Sequence, residues 1–364
     1  MTTPRLEIDF GKIGDNARSL VQRLGAKGIG VTGVTKATLG SPDIARELIA
    51  AGVRGLADSR IENLRALRES GVRVPLTLLR SPAPDQADEA AACANVVMTT
   101  DLDVAMALSD AASRTGRLVG IIVMVELGDL REGVMPADLA DVCRRVHRTA
   151  GLTLTGIGTN LACQSGVVPE VAQMQELSAL ATIVESKIGR QLAVVSGGNS
   201  ASLGWALSAA PPERVNDLRL GESILLGLDP LTRTPVEGLH TDAITLVASV
   251  IESRVKPAQP WGKLAQGAFG AVVPVTARSR GQIIQTILAV GEQDVDPRDI
   301  SLPAGVSVLG ASSDHLVVET PLQLAAGTEV RMGVGYSALL RAMTSPFVAE
   351  RPTLPVAAPA RARS

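Results

Sequence analysis

Aromatic side chains are scarce in this sequence. Its 364 residues include three Phe, two Trp and one Tyr, although hydrophobic residues as a class make up 46% of the chain. A buried core must therefore be built from Val, Leu, Ile and Ala. A chain of this length is long for one compact core and comfortable for two domains.

Cysteine, net charge and long apolar runs are also limited. Cys93, Cys143 and Cys163 are too few and too scattered for a disulfide framework or a zinc site. A formal net charge of −2 provides no basic field to attract nucleic acid or anionic lipid. The N-terminal stretch lacks the apolar region of a signal peptide, and no apolar run predicts a membrane span. These features predict a cytoplasmic protein.

Short apolar runs alternate with amphipathic stretches through the first two thirds of the chain. The runs are rich in Val, Ile and Leu, as is typical of buried parallel strands. They cover residues 28–35, 53–57, 75–79, 95–99, 118–126, 154–160, 192–196 and 217–220. Helix signals lie between them, such as Ser41 followed by Pro42 and the stop at Gly52. The pattern predicts a (β/α)8 TIM-type barrel rather than a doubly wound open sheet, because no G-x-G-x-x-G follows the first strand.

The pattern changes after about residue 239 of the printed sequence. Strand-like runs follow, separated by Pro, Gly and Asp and without a long helical pattern. They cover residues 243–255, 282–290, 306–309, 315–319 and 329–334. The sequence therefore predicts a barrel over residues 1–238, a C-terminal all-β domain over 239–350, and a disordered tail rich in Pro, Ala and Arg over 351–364.

Lys36 directly follows the first predicted barrel strand. Barrel enzymes carry their active sites at the carboxyl ends of the strands, so this lysine is expected at the barrel mouth. Partial desolvation there favours the neutral amine, which is a nucleophile toward an aldehyde. A surface lysine at a strand end would have the same sequence, so Lys36 alone does not establish a site.

A phosphate site is predicted at the loops after strands seven and eight, where barrels often bind phosphate. Small residues in these loops let backbone N–H groups approach an anion, although one Gly-Gly turn alone is weak support. The candidate residues are Ser196, Gly198, Asn199 and Ser200 in the first loop, and Gly221 and Glu222 in the second.

Two arginines accompany these loops. Arg219 precedes the second loop. If the bound phosphate belonged to a cofactor with a pyridine ring, an arginine facing the ring nitrogen would keep that nitrogen unprotonated and make the ring a weaker electron sink. Arg131 follows the fifth strand and could hold a phenolate oxygen or a substrate carboxylate. Ordinary solvated arginines, or a salt-bridge cluster of Arg131 with the nearby Glu126, Asp129 and Glu132, are the alternatives.

Several stretches together resemble one known family. They include GVTKATLGSPDIA, LADSRIENL, VELGDLREG, SGGNSASL, LRLGESILLG, LGASSDHL and VGYSALLRAMTSP, and they extend from residue 4 to residue 347. The chain resembles the PLP-dependent alanine racemase fold family (fold type III; PLP is pyridoxal 5′-phosphate), and most closely its ornithine racemase-like branch. Each motif alone would be modest, but their combination is highly specific.

The resemblance implies roles for individual residues. Lys36 would bind PLP as a Schiff base and serve as one of two catalytic bases, and Asn160 falls where alanine racemases carry a histidine stacked on the pyridine ring. Arg219 falls on the pyridine-nitrogen position and Arg131 on the phenolate position. The implied phosphate ligands are Ser200, the Gly221 and Glu222 amides, and Tyr336. The resemblance also implies a homodimer with sites shared between subunits.

This sequence departs from the family at the second catalytic base. Alanine racemases use a tyrosine of the partner subunit, and that position is filled here by Glu292. Glu292, Asp294 or His315 would have to serve instead, because racemisation needs a proton donor on each face of the carbanion. The position of the family's carbamylated lysine is filled by Met124. Carboxylates available to a basic substrate side chain are Asp314, Glu222 and Asp129.

The predicted function is racemisation of ornithine, another basic amino acid or a broad set of amino acids. The alternatives are another PLP reaction on the same fold, such as that of a specialised epimerase, eliminase or aldolase, or a non-catalytic PLP-binding protein. An aldolase would need a metal-binding His and Cys pair near the C-terminus, which the sequence lacks. Non-catalytic carriers are single barrels, so the C-terminal β domain argues against them.

Overall fold

The computed structural model describes residues 4–209, 212–266 and 281–353. The chain divides into two compact units, of which the barrel unit is Gly11–Thr241. The β unit combines Met1–Phe10 with Asp242–Ser364. Strand β1 (Arg5–Ile8) belongs to the β unit, so the prediction that the barrel domain includes residues 1–10 was wrong.

The barrel unit contains a closed barrel of eight parallel strands. Each of the eight predicted apolar runs contributes one strand, which confirms the predicted fold class. The strands are β2 (Gly30–Val34), β3 (Gly55–Asp58), β4 (Leu76–Leu78), β5 (Val96–Thr99), β6 (Val119–Met124), β7 (Leu152–Gly158), β8 (Val194–Ser196) and β9 (Asp217–Leu220). β9 pairs with both β8 and β2 and thereby closes the barrel.

Helices follow the barrel strands. α5 illustrates their local signals, because the Asp101 side chain accepts hydrogen bonds from the first-turn N–H groups and Gly116 ends the helix in the left-handed conformation. The helices are α1 (Phe10–Gly25), α2 (Pro42–Ala50), α3 (Ile61–Glu69), α4 (Ala87–Cys93), α5 (Leu102–Thr115), α6 (Pro136–Arg148), α7 (Val171–Ile188), α8 (Leu203–Leu207) and α9 (Glu222–Leu226). In the described part of the chain, no helix combines the length and hydrophobicity needed to cross a bilayer.

The β unit is built around one long strand, β10 (Ile244–Pro257), which pairs antiparallel with β1 and two later strands. The remaining strands are β11 (Gln282–Leu288), β12 (Ile300–Ser301), β13 (Ser307–Ala311), β14 (Leu316–Glu319), β15 (Glu329–Val334) and β16 (Ala349–Pro352). The main sheet has the order β12-β15-β10-β11-β14-β13, and β16 pairs in parallel with β1.

Two features of the β unit depart from the predictions. A nine-residue helix, α10 (Tyr336–Thr344), follows β15 where no helical pattern was expected. The tail predicted to be disordered from residue 351 begins as strand, because β16 extends through Pro352 and pairs with Ile8. The rest of that prediction, residues 354–364, lies outside the described residues.

Candidate active site

Lys36 opens a short 3-10 helix (Lys36–Thr38) at the carboxyl end of β2 and is half-buried. The residue before it, Thr35, is fixed by two neighbours. Its N–H donates to the Ala57 carbonyl, and its hydroxyl donates to the Asp58 carboxylate at 2.7 Å. The lysine therefore starts from a rigid strand end, as the sequence predicted for a residue at the barrel mouth.

Asp58 ends β3 and is fully buried beside the Lys36 strand end. Its carboxylate also accepts hydrogen bonds from the Arg60 N–H and the Asn63 amide, both at 3.0 Å. Burial raises the pKa of Asp58 above its ordinary value, although these hydrogen bonds and that of Thr35 oppose the shift. Sequence reasoning missed Asp58, whose only signal was an acidic residue directly after an apolar run.

The loop after β8 depends on glycine. Gly198 has φ of +115°, and a Cβ there would lie 2.6 Å from the Ser202 hydroxyl. That hydroxyl donates to the Gly197 carbonyl at 2.8 Å, which closes the turn. An L side chain would be strained in this conformation and would displace the hydroxyl, so the turn requires glycine. The predicted phosphate loop is thus a tight turn leading into the short 3-10 helix Ser200–Ser202.

Two backbone N–H groups converge on the Ser200 hydroxyl. The Gly221 N–H donates to Ser200 Oγ at 3.4 Å, and the Ser223 N–H donates to the same atom at 3.2 Å. Because amides that point at one oxygen can point equally at an anionic oxygen, the arrangement is suited to binding a phosphate group. The structure therefore brings together Ser200 and Gly221, which the sequence assigned to a common site.

Arg219 lies on β9 and is buried. Its Nη1 donates to Ser196 Oγ at 2.6 Å, and its Nη2 donates to the Thr159 carbonyl at 2.8 Å and to Asn160 Oδ1 at 3.5 Å. Burial lowers the pKa of Arg219, and the nearby Asp217 charge opposes that shift. The guanidinium remains a cation held by oxygen acceptors, so the alternative of a solvated arginine is wrong.

Asn160 follows β7 and has a fixed amide orientation. Its Oδ1 accepts from the Asn199 amide at 3.1 Å and from Arg219, which can only donate. Its Nδ2 is buried and has no hydrogen-bond partner among the described residues. A buried donor without an acceptor is rare in folded proteins. Asn199 supports this region further, because its Nδ2 also donates to the Leu161 carbonyl.

Arg131 lies on the loop after β6, is exposed, and pairs with Glu132. The hydrogen bond that Arg131 donates to Glu132 raises the pKa of Arg131 above its ordinary value. Asp129 does not join that pair, since its buried carboxylate accepts from the N–H groups of residues 163, 164 and 165. Burial alone would raise the pKa of Asp129, but these three hydrogen bonds lower it. Of the four-residue salt-bridge cluster considered from the sequence, the structure shows the Arg131–Glu132 pair. Asp129 instead links the loop after β6 to the loop after β7.

Met124 ends β6 in an apolar cluster with Met98 and Ile122. Leu79, Val96 and Val194 pack against the same cluster. A carbamylated lysine would bring a charge into these surroundings, which explains why a thioether is compatible with this position and a charged side chain is not.

The candidates for the second base lie on two loops of the β unit that hydrogen-bond to each other. The Glu292 N–H donates to the Ser312 carbonyl at 2.8 Å. The Gln293 amide donates to the Asp314 carboxylate at 2.8 Å. The structure therefore brings Glu292, Asp314 and the neighbouring His315 into one region of the β unit.

The three candidates differ in their surroundings. Glu292 is half-buried and accepts from Arg341 Nη1 at 2.8 Å. Asp294 is only 4% exposed, and Ser345 donates to it at 2.7 Å. His315 is exposed, and its Nδ1 lies 3.5 Å from the Ser312 hydroxyl.

Tyr336, the predicted phosphate ligand, is the first residue of α10. The helix start is fixed by Asp299, whose carboxylate accepts from the Ser337 N–H at 2.7 Å and whose carbonyl accepts from the Gly335 N–H. Asp296 accepts from the Ser337 hydroxyl at 3.0 Å. The hydrogen bond from Arg298 holds the pKa of Asp296 at about 2. Neither aspartate was singled out from the sequence.

Lys36 and the Ser200 hydroxyl with its two N–H donors, Gly221 and Ser223 (the Ser200 cradle), follow the carboxyl ends of barrel strands, where barrel enzymes carry their active sites. A family model described as "Alanine racemase, N-terminal domain" matches residues 8–230. The chain belongs to the alanine racemase family.

Known proteins extend this likeness over the whole chain. Lysine racemase of Thermotoga maritima is 37% identical over 351 residues, which cover 96% of this chain and 98% of that protein. Ornithine racemase of Acetoanaerobium sticklandii is 33% identical over 351 residues, covering 95% and 98%. The crystal structure of alanine racemase from Bartonella henselae with covalently bound pyridoxal phosphate has a TM-score of 0.74 at 16% identity and covers 97% of this chain and all of that chain. The full-length relatives are racemases, so the chain is an isomerase of this family.

Proposed function

We propose that this protein is a PLP-dependent racemase of basic amino acids such as lysine or ornithine. The observation that carries the proposal is that Lys36 follows β2, while Gly221, whose N–H donates to the Ser200 hydroxyl, follows the paired strand β9. The full-length relatives are named lysine racemase and ornithine racemase. β2 and β9 are paired neighbours, so the lysine follows one strand and the cradle amides follow the next.

The residues present fit PLP by their chemistry. An aldehyde requires an amine, a phosphate requires converging N–H donors, and a pyridine nitrogen accepts a hydrogen bond from an arginine. Lys36 would hold the cofactor covalently, and the Ser200 hydroxyl with the amides of Gly221, Glu222 and Ser223 would hold its phosphate. Arg219 would contact the pyridine nitrogen. The unpartnered Asn160 Nδ2 is a further donor that an added acceptor would satisfy.

Two further residues complete the proposed cofactor contacts. Tyr336 would reach the phosphate with its hydroxyl, and Arg131 would face the phenolate oxygen or the substrate carboxylate. Ser196 and Asn199 would position other residues rather than contact the cofactor. The Ser196 hydroxyl is hydrogen-bonded to Asp217 and Arg219, and the Asn199 amide donates to the Asn160 side chain.

Bound PLP supplies the electron sink that stabilises negative charge at Cα. Lys36 would remove or deliver the Cα proton on one face. A second residue must do so on the other face. Asp294 is sealed from solvent and bonded to Ser345, so Glu292 and His315 are the stronger candidates. A basic substrate side chain would pair with a carboxylate, for which we propose Asp314.

The proposal is tested by α-proton exchange in deuterated water across a panel of L- and D-amino acids. We expect exchange with inversion for lysine and ornithine. Exchange without inversion would favour another PLP reaction on this fold, and absence of exchange with every amino acid would eliminate racemisation.

Lys36→Ala tests the cofactor assignment directly. We expect loss of the PLP absorbance of the protein and loss of hydride trapping at this residue. Lys187→Ala is the matched control, since Lys187 lies on α7 and pairs with Asp141 at the surface. Retention of the absorbance of the lysine Schiff base in Lys36→Ala would overturn the assignment.

The second base is tested by measuring exchange from each enantiomer separately. In a two-base enzyme, loss of one base abolishes exchange from the enantiomer whose proton that base removes and spares the other. We compare Glu292→Gln with His315→Asn. The variant that shows this asymmetry identifies the base, and wild-type exchange from both enantiomers removes that residue from the mechanism.

We also propose a cytoplasmic homodimer. All three cysteines are free in the structure, which suits a reducing compartment. Light scattering of the purified protein tests the dimer, and a monomer with full racemase activity would contradict shared sites.

A further inference from the structure

A chain of polar side chains crosses three neighbouring barrel strands and ends at Arg219. On β2, the Thr32 hydroxyl donates to Asp217 Oδ1 at 2.7 Å. On β8, the Ser196 hydroxyl donates to Asp217 Oδ2 at 2.5 Å and accepts from Arg219 Nη1 at 2.6 Å. Asp217 and Arg219 are two residues apart on β9, so their side chains project from the same face of the strand.

The directions of these hydrogen bonds are fixed by chemistry. A guanidinium can only donate and an ionised carboxylate can only accept, so the hydroxyl between them must accept from Arg219 and donate to Asp217. Ser196 is fully buried, and its Oγ atom links the buried Arg219 guanidinium to the buried Asp217 carboxylate. Chains of hydrogen bonds that end in opposite charges polarise and strengthen each other.

The buried positive charge of Arg219 is stabilised by its link to the Asp217 carboxylate through Ser196. No salt bridge among the described residues includes Arg219, although its side chain is almost entirely buried. A buried cation without an anion is strongly unfavourable. Asp217 is the carboxylate linked to it through one hydroxyl, and its negative charge acts on the guanidinium across that distance.

We infer that Asp217 and Ser196 form one positioning unit that orients the Arg219 guanidinium and balances its charge. This inference rests on the proposed function, in which Arg219 contacts the pyridine nitrogen of PLP. Neither Asp217 nor Ser196 touches the cofactor in this arrangement. Loss of either one tilts the guanidinium or leaves its charge uncompensated, and the cofactor would then be held in a different electrostatic environment.

The test uses Asp217→Asn, Ser196→Ala and the double variant in the full-length protein. We expect each single variant to lower kcat and to weaken PLP binding about tenfold, with KM for the amino acid changed by less than about twofold. PLP binding is measured by absorbance titration of the apoenzyme, which is independent of turnover. Because the two residues act as one unit, the double variant should resemble either single variant rather than show the product of their effects.

Two control variants remove similar groups elsewhere in the barrel unit. Ser109→Ala removes a buried hydroxyl that donates to the Ala150 carbonyl at 2.7 Å. Glu185→Gln removes the carboxylate charge that pairs with Arg214. If Ser196→Ala does not fold, Ser196→Thr keeps the hydroxyl and should retain more PLP affinity than Asp217→Asn, which still tests the charge.

The outcomes are distinct. Variants of Asp217 and Ser196 that bind PLP and turn over like the two controls, or effects that multiply in the double variant, would overturn the positioning unit. A loss of apoenzyme melting temperature with unchanged PLP affinity and kcat would assign the network to stability alone and would also overturn it. Failure of the wild-type protein to bind PLP would instead overturn the proposed function itself.

Discussion

Replacing Gly198 by alanine should damage both the stability of the barrel unit and its affinity for phosphate. At φ of +115° the new Cβ adopts a conformation that costs an L residue about 1–3 kcal/mol. The Cβ would also lie 2.6 Å from the Ser202 hydroxyl and displace its bond to the Gly197 carbonyl, which contributes about 1 kcal/mol. We therefore expect a loss of about 2–4 kcal/mol in the free energy of unfolding.

The same change should reach the cradle, because Ser200 follows two residues later and the Gly198 carbonyl accepts the Arg219 N–H at 2.9 Å. Binding of inorganic phosphate and of PLP to the apoenzyme should weaken about tenfold, which is equivalent to ~1.4 kcal/mol. Urea unfolding and absorbance or calorimetric titration measure the two effects.

Gly204→Ala provides the matched control for this experiment. Gly204 lies in α8, six residues along the same segment, and a Cβ there meets nothing within 4 Å. Alanine in a helix should stabilise by about 0.5–1 kcal/mol relative to glycine and leave anion binding unchanged. If Gly198→Ala matched Gly204→Ala in both measurements, the argument that this turn requires glycine would be refuted.

Three further predictions concern buried polar groups. Asn16 is fully buried in α1 and makes three hydrogen bonds to the backbone of Ile224 and His240, so Asn16→Ala should lower the free energy of unfolding by about 3–5 kcal/mol; a loss below about 1 kcal/mol in urea unfolding would contradict this. The pKa of Asp58 is higher in the folded protein than in the unfolded chain, so the unfolded chain loses the carboxyl proton at lower pH and the contribution of Asp58 to stability falls as the pH rises above 3.8. The melting temperature of Asp58→Asn relative to that of the wild type should therefore increase toward neutral pH. A difference in melting temperature that stays constant with pH would refute this prediction. The pH dependence for Asp296 runs in the opposite direction, because its pKa of about 2 gives a contribution to stability that is complete above pH 3.8 and is lost as the pH falls toward 2. The stability difference between Asp296→Asn and the wild type should therefore become smaller over that pH range. Acid titration monitored by circular dichroism measures this difference.

The barrel could be predicted because each parallel strand is buried on both faces and therefore appears in the sequence as a separate short apolar run. The positions of Lys36, Ser200 and Arg219 could be predicted for a related reason, since they lie at or near strand ends whose spatial neighbourhood follows from the fold, while their roles toward PLP stay predictions. These positions needed only local sequence and the rule that barrel sites form at the carboxyl ends of strands, whereas the cofactor roles rested on the family resemblance.

Features that depend on strand register or on distant partners could not be predicted. The bond between Ser196 and Asp217 exists because these two residues are paired across β8 and β9, and no local pattern reports that register. The Arg341 partner of Glu292 lies 49 residues away, so the sequence suggested a base without showing its ion pair. β1 was misassigned for the same reason, because Arg5 pairs with Val247.

The placement of β1 has a consequence for the order in which the chain can fold during synthesis. The eight barrel strands occur in unbroken succession between residues 30 and 220, so the ribosome delivers a complete barrel before the β unit exists. Residues 5–8 are synthesised before the barrel strands, yet their partners on β10 and β16 are synthesised after them. β1 must therefore wait without its native partners until all eight barrel strands have been synthesised, and insertions or fusions next to it should delay formation of the β unit while leaving assembly of the barrel unchanged.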